Sequence, residues 1–119
     1  MPSSPTDGRR IGVLGGTFDP IHLGHLVTAE QVAEALGLDQ VLVVPAGRPW
    51  QKSPQIVTDA RHRVAMVDLA VADNDLLTIS QVDVDRPGAT YAVDTLRDLA
   101  RQFPEAELMF IVGADALQG

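Results

Sequence analysis

Gly15-Gly16-Thr17-Phe18-Asp19-Pro20-Ile21-His22-Leu23-Gly24-His25 is the stretch whose reading decides the fold. Ahead of it runs Ile11-Gly12-Val13-Leu14, a short apolar segment that reads as a buried β-strand. Behind it an amphipathic helical pattern begins near Leu23. The stretch is therefore a crossing from strand to helix. Paired glycines at the strand end predict positive φ and a main chain open to a bulky anion, with no Cβ in the way. His22 and His25 fall at or just inside the helix start, where free N–H groups and the helix dipole already favour negative charge. A phosphate is the expected ligand.

Two better-known phosphate loops do not fit. A P-loop needs a Lys after its last glycine, and none follows these; the spacing of Gly12, Gly15 and Gly16 is not G-x-G-x-x-G. What remains is H-x-G-H at a helix N-terminus, with Gly24 letting the first turn come close to a ligand. The competing reading is a plain turn with one capping His, or a zinc pair at i, i+3. With no Cys in the chain, such a zinc site would have to recruit His62 or carboxylates.

Working outward, the apolar positions alternate between strand and helix. Leu26, Ala29, Ala33 and Leu36 recur at helical spacing, and Gly37 is placed to stop that helix. Val41 to Val44 is a continuous β-branched and aliphatic run ended by Pro45, as in a parallel strand covered on both faces. Thr58 is placed to cap a second helix with the stripe Ala60, Val64, Val67 and Val71. A third strand is expected within Leu76 to Val84, with Asp83 and Asp85 at its frayed end. Ala92, Leu96, Leu99 and Phe103 mark a third helix ended by Pro104, and Leu108 to Val112 a fourth strand.

That order predicts an α/β fold: a Rossmann-like open parallel sheet with helices on both faces, right-handed crossovers and strand order 3-2-1-4. Ligands of such sheets bind beyond the carboxyl ends of the strands, where the order reverses. All the unusual residues fall at that edge: Gly15 to His25, Pro45 to Lys52, Arg86 to Tyr91 and Gly113 to Asp115. The loop Pro45-Ala46-Gly47-Arg48-Pro49-Trp50-Gln51-Lys52 is too long and proline-stiffened for a minimal connection and reads as a lid or binding loop. Lys52 suits a triphosphate as a mobile point charge. Trp50 is equally suited to stacking on a ring and to covering the core. Arg86 to Tyr91 delivers the next helix with its N–H groups exposed, a second anion receptor. Against that stands the plainer reading of Thr90 as an N-cap with Tyr91 in the core.

Composition sets the remaining bounds. The chain has 119 residues, is 45% hydrophobic and carries a net charge of −7, which fits one domain and argues against nonspecific nucleic-acid binding. Residues 1–9 read as a disordered tail, and polar residues 1–10 are neither signal peptide nor membrane span, leaving 10–119 as the domain. The absence of Cys suits a reducing cytoplasm. Of nine Lys and Arg, Arg48, Lys52, Arg61 and Arg63 cluster with His62, a patch able to focus a phosphate inside an acidic molecule.

Within the opening stretch, Gly16 to His25 match the G-x-F-D-P-x-H-x-G-H signature, and on them the chain resembles the nucleotidyltransferase superfamily. Pro45, Pro49 and Lys52 match a P-x-x-x-P-x-K stretch. Thr90, Tyr91, Asp94, Thr95 and Leu96 match T-Y-x-x-D-T-L, and Gly113, Ala114, Asp115 and Leu117 match G-A-D-x-L. Together these resemble the bacterial nicotinate-nucleotide adenylyltransferases, from Arg10 to Leu117. The pantetheine-phosphate adenylyltransferases are the runner-up; they usually carry Thr at the place of His22 and lack T-Y-x-x-D-T-L.

The resemblance implies adenylyl transfer from ATP to nicotinate mononucleotide, with His22, His25 and Lys52 as catalytic residues at the phosphates. Gly15, Gly16, Thr17, Phe18, Gly113 and Asp115 would complete the ATP site. Trp50, Lys52, Thr90 and Tyr91 would face the mononucleotide. Asp19 would shape the loop, no protein metal site is implied, and Mg²⁺ would arrive with ATP. The resemblance also implies a further strand and an I-S-S-T-x-x-R signature beyond Gly119. The domain is thus expected to be truncated, its fifth strand missing, its own activity lacking and its fourth strand open to association with another copy. A nucleotide-binding fragment without catalysis is the alternative from another class.

Overall fold

The structure is a computed structural model that describes residues 9–16, 18, 21, 23–47, 59–86 and 92–111. Along the chain lie β1 (Arg10–Gly16), α1 (Leu23–Leu36), β2 (Gln40–Pro45), α2 (Ala60–Val71), β3 (Leu77–Ile79), α3 (Val82–Asp85), α4 (Ala92–Gln102) and β4 (Glu107–Ile111). The strands form a four-stranded sheet of order β3-β2-β1-β4, and every pairing is parallel. The predicted order is met, and the reversal falls between β1 and β4.

The period-2 alternation of β1 and β2 divides the core between the two faces of the sheet. On one side Leu14, Val41 and Val43 pack with Ala29 and Ala33 of α1 and with Val67 and Val71 of α2. On the other, Ile11, Val13, Leu42 and Val44 pack with Leu99 of α4, flanked by Leu96 and Phe103. Gly12 is needed for closeness: a Cβ there would lie 2.8 Å from Leu38 Cδ1 and 3.0 Å from Ile111 Cδ1. Gly37, at φ +65°, closes α1 in the left-handed conformation that glycine adopts most cheaply. Among the described residues no helix is long and apolar enough to cross a membrane.

Several expectations need correction. The third strand, Leu77–Ile79, falls within the expected stretch, but Asp83 and Asp85 are not its frayed end: Val82–Asp85 is a single helical turn closed by Asp85 N donating to Gln81 O at 2.9 Å. A strand would put Asp83 and Asp85 on one face; the turn parts them, burying Asp83 and leaving Asp85 exposed. The cap of α2 is Asp59, whose carboxylate accepts from Arg61 N at 2.8 Å, rather than Thr58, which lies outside the described residues. The buried stripe of α2 is Arg63, Val67 and Val71, at i, i+4, i+8, and the half-buried Ala60 and Val64 flank it. Leu36 is exposed on α1, and on α4 Ala92 is exposed while Thr95 is buried. Val112 and residues 1–8 lie outside the described residues; Arg9 is within them, its carbonyl accepting from Glu107 N at 2.8 Å.

Candidate functional site at the carboxyl edge

Because all four strands are parallel, their chain exits share one edge. The register sets Gly16 level with Pro45, Leu14 with Ile111, and Val43 with Ile79. Among the described residues at the exit of β1, the one with positive φ is Phe18, at φ +52°, whereas Gly15 and Gly16 continue the strand. The glycines serve packing instead. A Cβ on Gly15 would come within 3.3 Å of the Phe110 ring, and one on Gly16 within 3.2 Å of the Phe18 ring. The Gly16 carbonyl accepts from Ala46 N at 2.8 Å, which ties the exits of β1 and β2 together.

Phe18 is buried among Leu14, Ala29 and Ile21, so its side chain belongs to the core. A left-handed bulky residue is a strained choice that the surrounding packing must hold in place. Its ring meets the His25 imidazole edge to face, with centroids 5.1 Å apart and planes at 90°. His25 stands third in α1, within the turn whose amides have no partner inside the helix. The motif thus supplies a half-buried imidazole, braced by an aromatic ring, at a positive helix end.

The exit of β2 is held from below. Arg63 is 1% exposed, and its guanidinium donates to Ala46 O at 2.6 Å and Gly47 O at 3.1 Å. This overturns the expectation that Arg63 belongs to a surface patch for phosphates: its fork of donors is spent on two carbonyls at the root of the loop that leads to Lys52. Arg61 remains exposed and pairs with Asp59 at 3.6 Å, and His62 is exposed. On its other side Gly47 rests directly on the α3 backbone, where any Cβ would strike the Asp83 carbonyl.

Past β3 lies a polar cluster that sequence reasoning missed. Asp83 is 2% exposed, with the Thr95 hydroxyl 2.7 Å from both of its carboxylate oxygens. Arg86 approaches Asp83 Oδ1 through Nη1 at 3.0 Å, an ion pair rather than an aligned hydrogen bond. Through Nε at 3.0 Å and Nη2 at 2.5 Å, Arg86 also donates to Asp98 Oδ2. Burial pushes the Asp83 carboxyl above its ordinary range, against the opposing pull of Thr95 and Arg86. In the sequence Asp83 stood only at an expected frayed strand end and Thr95 only within the T-Y-x-x-D-T-L match, so nothing joined the two.

Of the expected site residues, Gly15, Gly16, Phe18 and His25 are brought together at the mouth of β1. Thr17, His22, Trp50, Lys52, Thr90, Tyr91, Gly113 and Asp115 lie outside the described residues, as do Asp19 and Arg48. Among the described residues no group of three or more His, Cys, Asp or Glu is gathered in a way that could hold a metal ion.

The chain is similar to known proteins along most of its length. The chain is 57% identical over 118 residues to a probable nicotinate-nucleotide adenylyltransferase of Clavibacter sepedonicus, covering 99% of this chain and 58% of that one. It is 61% identical over 108 residues to a protein of the same description from Leifsonia xyli subsp. xyli, covering 91% and 53%. It therefore spans little more than half the length of these curated relatives. A solved structure of Plasmodium falciparum nicotinic acid mononucleotide adenylyltransferase complexed with NaAD superposes with a TM-score of 0.75 at 18% identity, over 92% of this chain and 54% of that one. At that identity the likeness is one of fold. With a cytidylyltransferase-like family model matching residues 13–119 on top of the fold and the histidine crossing, the chain belongs to the cytidylyltransferase-like family.

Proposed function

We propose that this chain provides the nucleotide-binding portion of a nicotinate-nucleotide adenylyltransferase, which joins ATP and nicotinate mononucleotide to give nicotinate adenine dinucleotide and pyrophosphate. The observation that carries the reading is His25 in the first turn of α1, braced by Phe18 at the strand beside the sheet's reversal point. Relatives of 57% and 61% identity bearing that description support the choice of acceptor.

The chemistry follows from charge. The mononucleotide phosphate is ionised at neutral pH and needs no general base. Its oxygen attacks the α-phosphorus of ATP, one P–O bond forms as the bond to the β-phosphate bridge breaks, and pyrophosphate departs with the electron pair. Charge grows on the equatorial and leaving oxygens, so catalysis is positioning and electrostatic stabilisation without a covalent intermediate. In this reading His22, His25 and Lys52 receive the phosphates. The main chain at Gly15, Gly16, Thr17 and Phe18, with Gly113 and Asp115, receives the rest of ATP. Thr90 and Tyr91 amides take the nicotinate carboxylate and Trp50 its ring. Mg²⁺ enters as MgATP, a substrate held mostly by phosphate oxygens and water. The working compartment is the cytoplasm, and association with another copy of the chain belongs to the same reading.

The test is pyrophosphate release by the full-length protein, with nicotinate mononucleotide, nicotinamide mononucleotide and phosphopantetheine supplied side by side. Preference for the first is expected; preference for phosphopantetheine, or release with none, defeats the reading. His25→Ala is expected to lower turnover at least about a hundredfold, the usual scale for losing one preorganised donor.

A further inference from the structure

Glycine would take the backbone conformation of residue 18 most cheaply, yet the chain keeps a large side chain there. Phe18 has φ +52° and is 4% exposed, its ring lying in the buried cluster with Leu14 and Ala29. Strain of that kind persists where surrounding contacts outweigh it, and two contacts of this ring do more than fill the core. The first is with Gly16: for a Cβ placed there, the three nearest atoms all belong to the Phe18 ring, at 3.2, 3.2 and 3.6 Å. The strand end is bare where the ring passes. The second is with His25, whose half-buried imidazole meets the ring edge to face with centroids 5.1 Å apart. Ala29, one turn further along α1, is fully buried in the same cluster as Phe18. The ring therefore joins the end of β1 to the start of α1, and the core holds it in place.

We propose that Phe18 is a positioning residue for adenylyl transfer: its ring sets the angle at which the His25 imidazole is presented, and Gly16 leaves the room that the ring needs. This rests on the function proposed above. A histidine side chain turns about two torsions, and a donor that stabilises charge in the transition state acts best when both are set beforehand. A perpendicular aromatic wall limits them by shape and by its quadrupole, and it demands no hydrogen bond from the imidazole.

The experiment is a double-mutant cycle in the full-length protein: wild type, Phe18→Leu, His25→Ala and the pair, each read for kcat and for the KM of both substrates. Phe18→Leu keeps an apolar side chain in the cluster and removes the ring. It is expected to lower kcat about tenfold, the scale of one aromatic contact, with both KM values within about twofold. In the His25→Ala background the same change should cost less than about twofold, because the residue it acts through is gone. The ring-proton resonances of His25 should shift in Phe18→Leu while those of the exposed His62 stay. An unchanged kcat, an equal loss in both backgrounds, or an unmoved His25 signal overturns the proposal. Should Phe18→Leu show no cooperative unfolding in urea, Gly16→Ala runs the same cycle, its methyl pressing on the Phe18 ring, and is held to the same outcomes. A wild-type protein that does not use nicotinate mononucleotide refutes the function by itself. The His25 resonances then decide the bracing alone, and no shift overturns it.

Discussion

The two ends of the sheet use charged side chains in opposite ways. At the amino edge Arg10 meets Glu107 at 3.3 Å with both side chains well exposed, its amide donates to Asp39 at 2.7 Å, and its guanidinium reaches the Leu36 carbonyl that ends α1. Arg9, Gln40 and Thr78 form a similar surface chain. At the carboxyl edge Arg63, Asp83 and Thr95 are all at most 2% exposed. Exposed ion pairs sit in water before and after folding and contribute little. Buried polar groups must find partners or cost several times as much, so they hold a geometry strictly. The molecule buries its polar groups at the edge where the loops of the candidate site take root, and leaves them wet at the other.

That contrast can be broken by experiment. The largest effect is expected from Arg63→Met, which strips the donors from the Ala46 and Gly47 carbonyls and should cost about 3 kcal/mol of stability in urea unfolding of the full-length protein. A cost under about 1 kcal/mol would mean that the loop root is not held by this side chain.

The next concerns the sign of a pH effect. Burial, the largest influence, raises the Asp83 carboxyl above its ordinary value of 3.8, while Thr95 and Arg86 pull the other way and Asp98 adds to the rise. A raised native value means that the fold binds this proton more tightly than the unfolded chain does. The contribution is full below 3.8 and is lost as pH climbs through the native value. The stability of wild type relative to Asp83→Asn should therefore decline as pH rises from 3.8 through the weakly acidic range. An increase over that range would show that the Arg86 pair outweighs burial.

The smallest effect is expected from Arg10→Gln at the amino edge: about 1 kcal/mol or less, shrinking further in high salt. Should it match Arg63→Met, the distinction between the two edges fails.

Much of this was legible in the chain. Hydrophobic periodicity located β1, α1, β2, α2, α4 and β4 to within a residue or two, since each carries an apolar stripe or run in its sequence. The crossing from Gly15 to His25 was legible as the step from β1 into α1, with His25 in the first turn of that helix, because an apolar run gives way there to helical spacing. Less legible were positions where a polar residue is buried. Arg63 looked like part of a basic surface because its neighbours Arg61 and His62 are exposed; the carbonyls it serves are 16 and 17 residues away. Asp83 looked like a frayed strand end because its partners, Thr95 and Arg86, only meet it once α3 turns. Phe18 carries the left-handed conformation that was assigned to the glycines. Cβ clearance at Gly15 and Gly16 turned out to serve the Phe110 and Phe18 rings.

Sequence by itself determined the alternation of strands and helices, the parallel sheet with its reversal beside β1, and the histidine-bearing turn there. These follow from periodicity and from local backbone chemistry, which act over a few residues. Only the tertiary structure decided which charges are buried and what they hold. A guanidinium or carboxylate reads the same in a sequence whether water or a distant carbonyl meets it, and that choice is made by chain segments that folding alone brings together.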